Sequence, residues 1–432
     1  MRIGLFTDTY RPSVNGIVYV VESLKNHLEA AGHEVYIFCP ARSIRPSTHA
    51  DELEEEGRII RFSSVKGVFY EDYDTSLFFP PRVLARIREL DLDVIHFFTP
   101  GQIGIMGVYA GFKTDTPVIA QHCTDLRKYV EHYTDGALLP GLLALMTLLP
   151  FAIKVNGKDV KEIMSLYRPR RGRVQWNIDI VERIITLVYS KCDGVIALSR
   201  KSKLQLESWQ RVDHYNYDVT LLPNGVDPLP TPTDRQLADF RTKYGIADDD
   251  EVFGFVGRLG AEKNLEIIIE AFDTVVAERP KAKLMFVGDF EHREVLERMA
   301  SETDKPERII FTGALPRETL GTAYGSMKLF VFPSLTDTQG WAVHEAALSG
   351  LPLVMIDTEV SEVIQAGVSG LYSANDPAWL ADAILELLSD EIKRTAFGAE
   401  SQKLAGKFTE KKQVDKLVEL YQHAIAKHNF AE

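Results

Sequence analysis

Leu329-Phe330-Val331-Phe332-Pro333-Ser334-Leu335-Thr336-Asp337-Thr338-Gln339-Gly340-Trp341-Ala342-Val343-His344-Glu345-Ala346 begins as a short apolar run and continues into a helical stretch that Gly350-Leu351-Pro352 closes. An apolar run of this length, rich in Val and Phe, reads as a strand buried on both faces. A strand that feeds straight into a helix is the unit of a parallel, helix-covered sheet. The turn between them carries Asp337, and the helix carries Glu345 eight residues later. Both acids can face a crevice at the carboxyl ends of the strands, where open α/β sheets bind ligands. Carboxylates accept hydrogen bonds from vicinal hydroxyls, so the pair suits a sugar or a ribose. Either acid alone also reads as a helix cap or a solvated side chain.

The same unit recurs on both sides of this stretch. Ile3 to Thr7, Val35 to Cys39, Val94 to Phe98, Val118 to Gln121 and Val195 to Leu198 form one series of strand-like runs. Thr220 to Leu222, Val252 to Val256, Leu284 to Val287, Ile309 to Phe311, Leu329 to Phe332 and Leu353 to Ile356 form a second. After the first run, Ile17, Val20, Val21, Leu24 and Leu28 keep helical spacing until Gly32. Two α/β domains are therefore expected, over 1–205 and 218–408, joined by a link near 205–218. A last amphipathic helix over 409–429, with no strand after it, is expected to pack back on the first domain.

Composition narrows the function. The 432 residues hold 49 basic and 62 acidic side chains, a net charge of −13, which repels phosphate backbones and argues against a nucleic-acid partner. Cys39, Cys123 and Cys192 show no paired spacing, so neither a disulfide framework nor a zinc ribbon is expected, and a reducing cytoplasm fits. The start reaches Asp8 and Arg11 too soon for a signal-peptide apolar region. Asp51 to Glu56, with five acids in six residues, reads as a solvated face.

A second ligand-binding pattern lies at Val256-Gly257-Arg258-Leu259-Gly260-Ala261-Glu262-Lys263-Asn264, after a strand and before a helix bearing Leu265, Ile268, Ile269 and Phe272. Glycines let the backbone approach a ligand, a helix N-terminus attracts anions, and Arg258 and Lys263 add two cations: a setting for a diphosphate. The spacing is neither that of a Walker A loop nor of a dinucleotide-binding glycine fingerprint. Pro12-Ser13-Val14-Asn15-Gly16 ends the first strand with a single glycine, which reads equally as a turn residue or a ligand-facing one. His122, at the end of an apolar strand, reads alone as a hydrogen-bonded structural histidine.

Taken in order, these motifs resemble the retaining glycosyltransferases of the GT4 type. The resemblance rests on Phe332-Pro333-Ser334, the acid-x7-acid pair, Gly350-Leu351-Pro352, Val256-Gly257-Arg258 with Lys263-Asn264, Leu222-Pro223-Asn224-Gly225-Val226-Asp227 and Val287-Gly288-Asp289. Glu362-Val363-Ile364 before Gly367 and Gly370, Pro12 to Gly16, and Gln121-His122-Cys123-Thr124-Asp125 complete the set. It implies the α/β GT-B fold, two Rossmann-like doubly wound domains facing across a cleft. It implies that Arg258 and Lys263 hold the donor diphosphate, that Glu345 binds the nucleotide ribose, and that Asp337 and nearby backbone face the donor sugar. His122 would sit at that sugar beside the acceptor. Gly16, Asn224, Gly288, Leu315, Gly340 and Trp341 would complete the donor site. His122, Asp337, Arg258 and Lys263 are the expected catalytic groups. No metal and no cofactor are expected, the cations being side chains, and a UDP-sugar is expected ahead of a GDP-sugar. Two departures stand out: the first acid is usually Glu, and Phe commonly stands where Gln339 is. Acid-Thr-Gln-Gly resembles members that glycosylate diacylglycerol lipids.

Residues 136–175 are too long for a strand-helix connection. Ala137 to Ile153 is uncharged but broken by Pro140, Gly141 and Pro150, short of the roughly 20 apolar residues that span a bilayer. Residues 154–173 then carry seven basic side chains against two acids. This insertion, with Arg168, Arg170, Arg171, Arg173 and Tyr129, is expected to meet an anionic membrane surface and a lipid acceptor, which would attach the protein to the inner face of the cell membrane. An apolar helix buried against the first domain or a dimer partner, with a solvated basic loop, is the alternative. Other functions remain open at this level: a soluble sugar acceptor, a nucleotide-sugar epimerase or phosphorylase, or a donor-binding relative without turnover. The oligomeric state is not readable.

Overall fold

A computed structural model describes residues 1–13, 16–41, 57–62, 64–65, 75–76, 81–98, 100–124, 157–166, 173–210 and 215–430. They form two compact units: Met1–Asn224 with Glu410–Glu432, and Gly225–Thr409.

The first unit is built on a seven-stranded parallel sheet. Its strands are β1 (Arg2–Thr7), β2 (Glu34–Pro40), β3 (Ile59–Phe62), β4 (Val94–Phe98), β5 (Val118–His122), β6 (Gly194–Ala197) and β7 (Val219–Leu221), in the order β3-β2-β1-β4-β5-β6-β7. All five residues of β4 and of β5 are buried, as continuous apolar strands covered on both faces must be. Helix α1 (Gly16–Ala30) buries Val18, Val20, Val21, Leu24 and Leu28, and the chain turns at Gly32. Helix α2 (Gln102–Thr114) follows β4. The strand order reverses between β1 and β4, which makes the carboxyl ends of those two strands the switch point of the sheet.

The second unit repeats the plan with six parallel strands: β8 (Glu251–Val256), β9 (Ala282–Val287), β10 (Ile309–Phe311), β11 (Leu329–Phe332), β12 (Leu353–Met355) and β13 (Gly370–Tyr372). Their order is β10-β9-β8-β11-β12-β13. Helix α3 (Arg317–Gly325) precedes β11 and helix α4 (Trp341–Leu348) follows it. Phe253, Phe255, Phe272 and Phe286 anchor the core.

The chain returns to the first unit through helix α5 (Glu410–Phe430). Val414, Leu417, Tyr421 and Ala424 recur at helical spacing and are buried. The Tyr421 hydroxyl meets His96 Nδ1 at 2.6 Å, His428 Nδ1 meets Asp193 at 2.9 Å, and Lys427 pairs with Asp218 at 2.7 Å.

The structure corrects the expected link. Val219–Leu221 is not the first strand of the second series: Val195 pairs with Val219 and Ala197 with Leu221, so this strand closes the edge of the first sheet. The division falls after Asn224 rather than in 205–218. The polar stretch after Trp209 carries the chain to an edge strand, whose backbone groups need a ladder partner whatever the side chains say. β3 and β13 are not among the expected strands; Arg61 interrupts the first and the second is Gly370-Leu371-Tyr372, so neither shows a continuous apolar run.

Of the insertion, the helices Gly157–Leu166 and Arg173–Tyr189 are described. The apolar run 137–153, Tyr129, Arg168, Arg170 and Arg171 lie outside the described residues, as do Val14 and Asn15. Among the described residues no helix is long and apolar enough to cross a membrane.

Candidate functional site

In the second unit the loop after β8 is held close to the loop after β9. Gly257 N–H donates to Val287 O at 2.9 Å, and Gly288 N–H donates to Gly313 O at 3.0 Å. Gly288 sits at φ 143°, and a Cβ there would lie 1.8 Å from Gly257 O, so only glycine lets the two loops approach this closely. The chain then makes a short 3-10 turn at Ala261–Lys263 before the helix Glu266–Glu278.

That turn aims Lys263 at the other motif. Lys263 Nζ lies 2.7 Å from Asp337 Oδ1, both side chains largely withdrawn from solvent, joining positions 74 residues apart. Thr336 Oγ1 donates to Glu262 O at 3.0 Å and Asn264 Nδ2 to Pro333 O at 3.3 Å, which stitches the basic loop to the acidic one. Arg258 is half exposed, 3.4 Å from Glu262 and with its guanidinium 4.9 Å from the Phe290 ring centroid. The arrangement offers two cations, each beside a carboxylate, at the carboxyl ends of β8 and β11.

Glu345 is placed by two helices. Gly340, at φ 68°, is the left-handed residue that lets the chain enter α4, and a Cβ there would crowd Val343 and Phe332. Four residues apart on α4, Trp341 Nε1 donates to Glu345 Oε1 at 3.2 Å. Facing them, α3 supplies Arg317, which pairs with Glu345 Oε1, and Tyr324, whose hydroxyl donates to Oε2 at 3.1 Å. Burial, then the charge of Glu345, pushes the Tyr324 phenol well above its ordinary value, so it remains a donor. Arg317 and Tyr324 were not singled out from the sequence; the only local signal is Pro316-Arg317 opening a helix. Leu315, just before it, is half-buried against the core of the unit.

Arg258, Lys263, Gly288, Leu315, Asp337, Gly340, Trp341 and Glu345 all belong to the second unit; Gly16, His122 and Asn224 belong to the first. His122 ends β5 fully buried, its Nδ1 3.0 Å from the Tyr189 hydroxyl and its ring edge-on to Tyr189 and Trp209. Gln121 Nε2 donates to Asn224 Oδ1 at 2.9 Å, and Gly16 is the exposed first residue of α1. Sequence reading passed over Asp8. It follows β1 at the switch point, and Oδ1 accepts the Ile103 amide of α2 at 2.7 Å. Burial raises its carboxyl to about 7 despite the backbone hydrogen bonds that oppose the rise.

Asp-x-Asp spacing, the common metal-binding pair of sugar-nucleotide enzymes, occurs at Asp72-Tyr73-Asp74, Asp91-Leu92-Asp93 and Asp248-Asp249-Asp250. The first lies outside the described residues. In the others, Asp91 pairs with Arg2 at 2.9 Å and Asp93 accepts the Arg2 amide at 2.6 Å, while Asp248 lies 3.5 Å from Arg241, Asp249 pairs with Lys281 and Asp250 with Lys283 and Arg308. These acids are committed to ion pairs and hydrogen bonds that brace β1 and β9.

Two Rossmann-like parallel units, the second carrying a basic loop tied to an acid-x7-acid turn, define a GT-B glycosyltransferase. Comparison with known proteins agrees: the family described as Glycosyltransferase Family 4 matches residues 14–228, and Glycosyl transferases group 1 matches 238–404. The chain belongs to the GT4-type glycosyltransferases. It is 26% identical over 397 residues to the alpha-monoglucosyldiacylglycerol synthase of Streptococcus pneumoniae, covering 90% of this chain and 78% of that one. It is 26% identical over 378 residues to a GDP-mannose-dependent alpha-mannosyltransferase of Corynebacterium glutamicum, covering 86% and 76%. Among solved structures, Anabaena Alr3699/HepE in complex with UDP superposes with a TM-score of 0.67 at 16% identity, over 98% of this chain and 100% of that one, a likeness of fold.

Proposed function

We propose that this glycosyltransferase moves a sugar from a UDP-sugar to a membrane lipid hydroxyl, with retention and without a metal ion. The observation that carries the donor reading is the Lys263–Asp337 pair, which sets a cation and a carboxylate side by side at the strand ends. In the reaction the bond from the anomeric carbon to the diphosphate breaks as a bond to the acceptor oxygen forms on the same face. Negative charge grows on the leaving diphosphate, and Lys263 and Arg258 meet it with fixed positive charge. On this reading Asp337 accepts from the donor sugar and Glu345 from the ribose. The acceptor proton leaves with the departing phosphate oxygen.

Support for a lipid acceptor comes from the printed activity of the S. pneumoniae relative and from the apolar-basic insertion at 136–175. The base of the nucleotide is put to the test alongside the acceptor, because the C. glutamicum relative is GDP-mannose-dependent. A thermal-shift panel of UDP-, GDP- and ADP-sugars, followed by transfer to diacylglycerol in mixed micelles with and without EDTA, tests the reading. A ligand at 100 times its Kd adds about 2.7 kcal/mol of stability. A UDP-sugar shift, an EDTA-insensitive product and an α-linkage by NMR coupling are expected. A flat panel rejects the donor, a β product rejects retention, and transfer only to soluble sugars rejects the lipid acceptor.

A further inference from the structure

We propose that Asn264 is a positioning residue for Lys263: its side-chain amide ties the loop after β8 to the loops after β11 and β13, and so holds the ammonium where the donor diphosphate meets it. The inference rests on the reading that Lys263 meets the diphosphate, and goes beyond it by naming what fixes that cation.

Lys263 carries its charge on a flexible four-carbon stem, so the place of the ammonium depends on how firmly its backbone is held. The turn that bears it is short. It has three residues of 3-10 geometry, with Lys263 N–H donating to Gly260 O at 3.0 Å and Asn264 N–H to Ala261 O at 3.4 Å. Such a turn has poor hydrogen-bond geometry and little stiffness of its own. Asn264 supplies the rest. Its φ of 57° bends the chain toward the helix Glu266–Glu278, a bend that glycine would make at no steric cost, so what asparagine adds is its amide. The amide has two N–H donors, and both are committed: Nδ2 donates to Pro333 O at 3.3 Å and to Asn375 Oδ1 at 2.9 Å. Pro333 opens the loop in which Asp337, four residues on, pairs with Lys263 at 2.7 Å. Lys263, Asn264, Pro333 and Asp337 therefore close a ring of contacts around the cation. Asn375 is a firm anchor, because Asp376 beside it caps the helix Pro377–Ser389, accepting the Ala378 and Trp379 amides at 2.9 and 3.2 Å.

Two variants separate the bend from the ties. Asn264→Gly keeps the bend and deletes both ties, while Asn375→Ala deletes one and leaves residue 264 untouched. Donor kcat/KM should fall by about tenfold or more in Asn264→Gly and by a few-fold in Asn375→Ala, with Tm lowered by a few degrees at most. A double-mutant cycle distinguishes positioning from a merely structural part. In Lys263→Ala, where there is no ammonium to place, Asn264→Gly should change kcat/KM by less than about twofold, and likewise the calorimetric Kd for UDP, or for GDP if only GDP-sugars give the thermal shift. If Asn264→Gly does not fold, Asn375→Ala carries the same cycle. Equal losses with and without Lys263 overturn the positioning role, as does wild-type kcat/KM in Asn264→Gly. Wild-type kcat/KM and nucleotide affinity in Lys263→Ala alone remove the diphosphate reading, and the inference with it.

Discussion

Lys263 and Asp337 were legible one at a time, because a basic residue after a glycine loop and an acid at a strand end each carry their own signal. Their 2.7 Å contact was not, since it joins residues 74 positions apart. The contact also decides what a substitution does. Lys263→Ala removes the cation that meets the leaving diphosphate and the partner of Asp337 together, so kcat should fall by roughly two to three orders of magnitude while the melting temperature holds. Near-wild-type kcat/KM in this variant would reject the diphosphate assignment. Gly288→Ala should act through the backbone instead. The added Cβ collides with Gly257 O, so the variant should lose both stability and nucleotide affinity, seen as a lowered Tm and a weakened Kd measured by calorimetry. Arg317 left only the Pro316-Arg317 helix opening as a sequence signal, because its partner lies 28 residues away on another helix.

At the scale of elements, strands that are continuous apolar runs were readable even at three residues, as in β10 and β12, whereas β3, β13 and the sheet to which β7 belongs were not. A short strand broken by a polar residue or a glycine owes its place to backbone pairing, which no side-chain pattern encodes. The first turn of α2 shows a related gap, because its cap, Asp8, comes from the end of β1. The pKa of Asp8 when folded, about 7, lies above its ordinary value of 3.8. Between those values the folded chain binds more protons than the unfolded one, so the contribution of Asp8 to stability is full below about pH 4 and is lost as pH rises to about 7. His96, held down to about 3, and His344, to about 4, slope the other way, so the comparison must be against a variant. Asp8→Asn keeps an acceptor for the Ile103 amide and removes the titration. Relative to wild type it should gain stability between pH 4 and pH 7, on the order of 4 kcal/mol at most, read from urea midpoints. An unchanged difference across that window would show that Asp8 does not titrate there.

For the whole molecule the open question is where the acceptor comes from. Residues 154–173 carry a net charge of +5 in a chain of −13. Near an anionic leaflet each basic residue contributes about 1 kcal/mol. The purified protein should therefore float with anionic liposomes and release at high salt. Replacement of Arg168, Arg170, Arg171 and Arg173 by Glu should abolish flotation and lipid transfer while leaving nucleotide affinity intact. Flotation that survives the replacement, or none by the wild type, would return the insertion to a structural part. The sequence by itself determined the class: two parallel α/β units and the ordered motifs of a GT4-type glycosyltransferase. These are local in origin, set by runs of apolar residues, by glycines at turns and by acids and bases at strand ends. Tertiary structure alone decided that the division falls after Asn224, that Lys263 meets Asp337, and that α3 supplies two donors to Glu345. The contacts join segments far apart in the chain, and they exist only once a sheet brings the carboxyl ends of its own strands together.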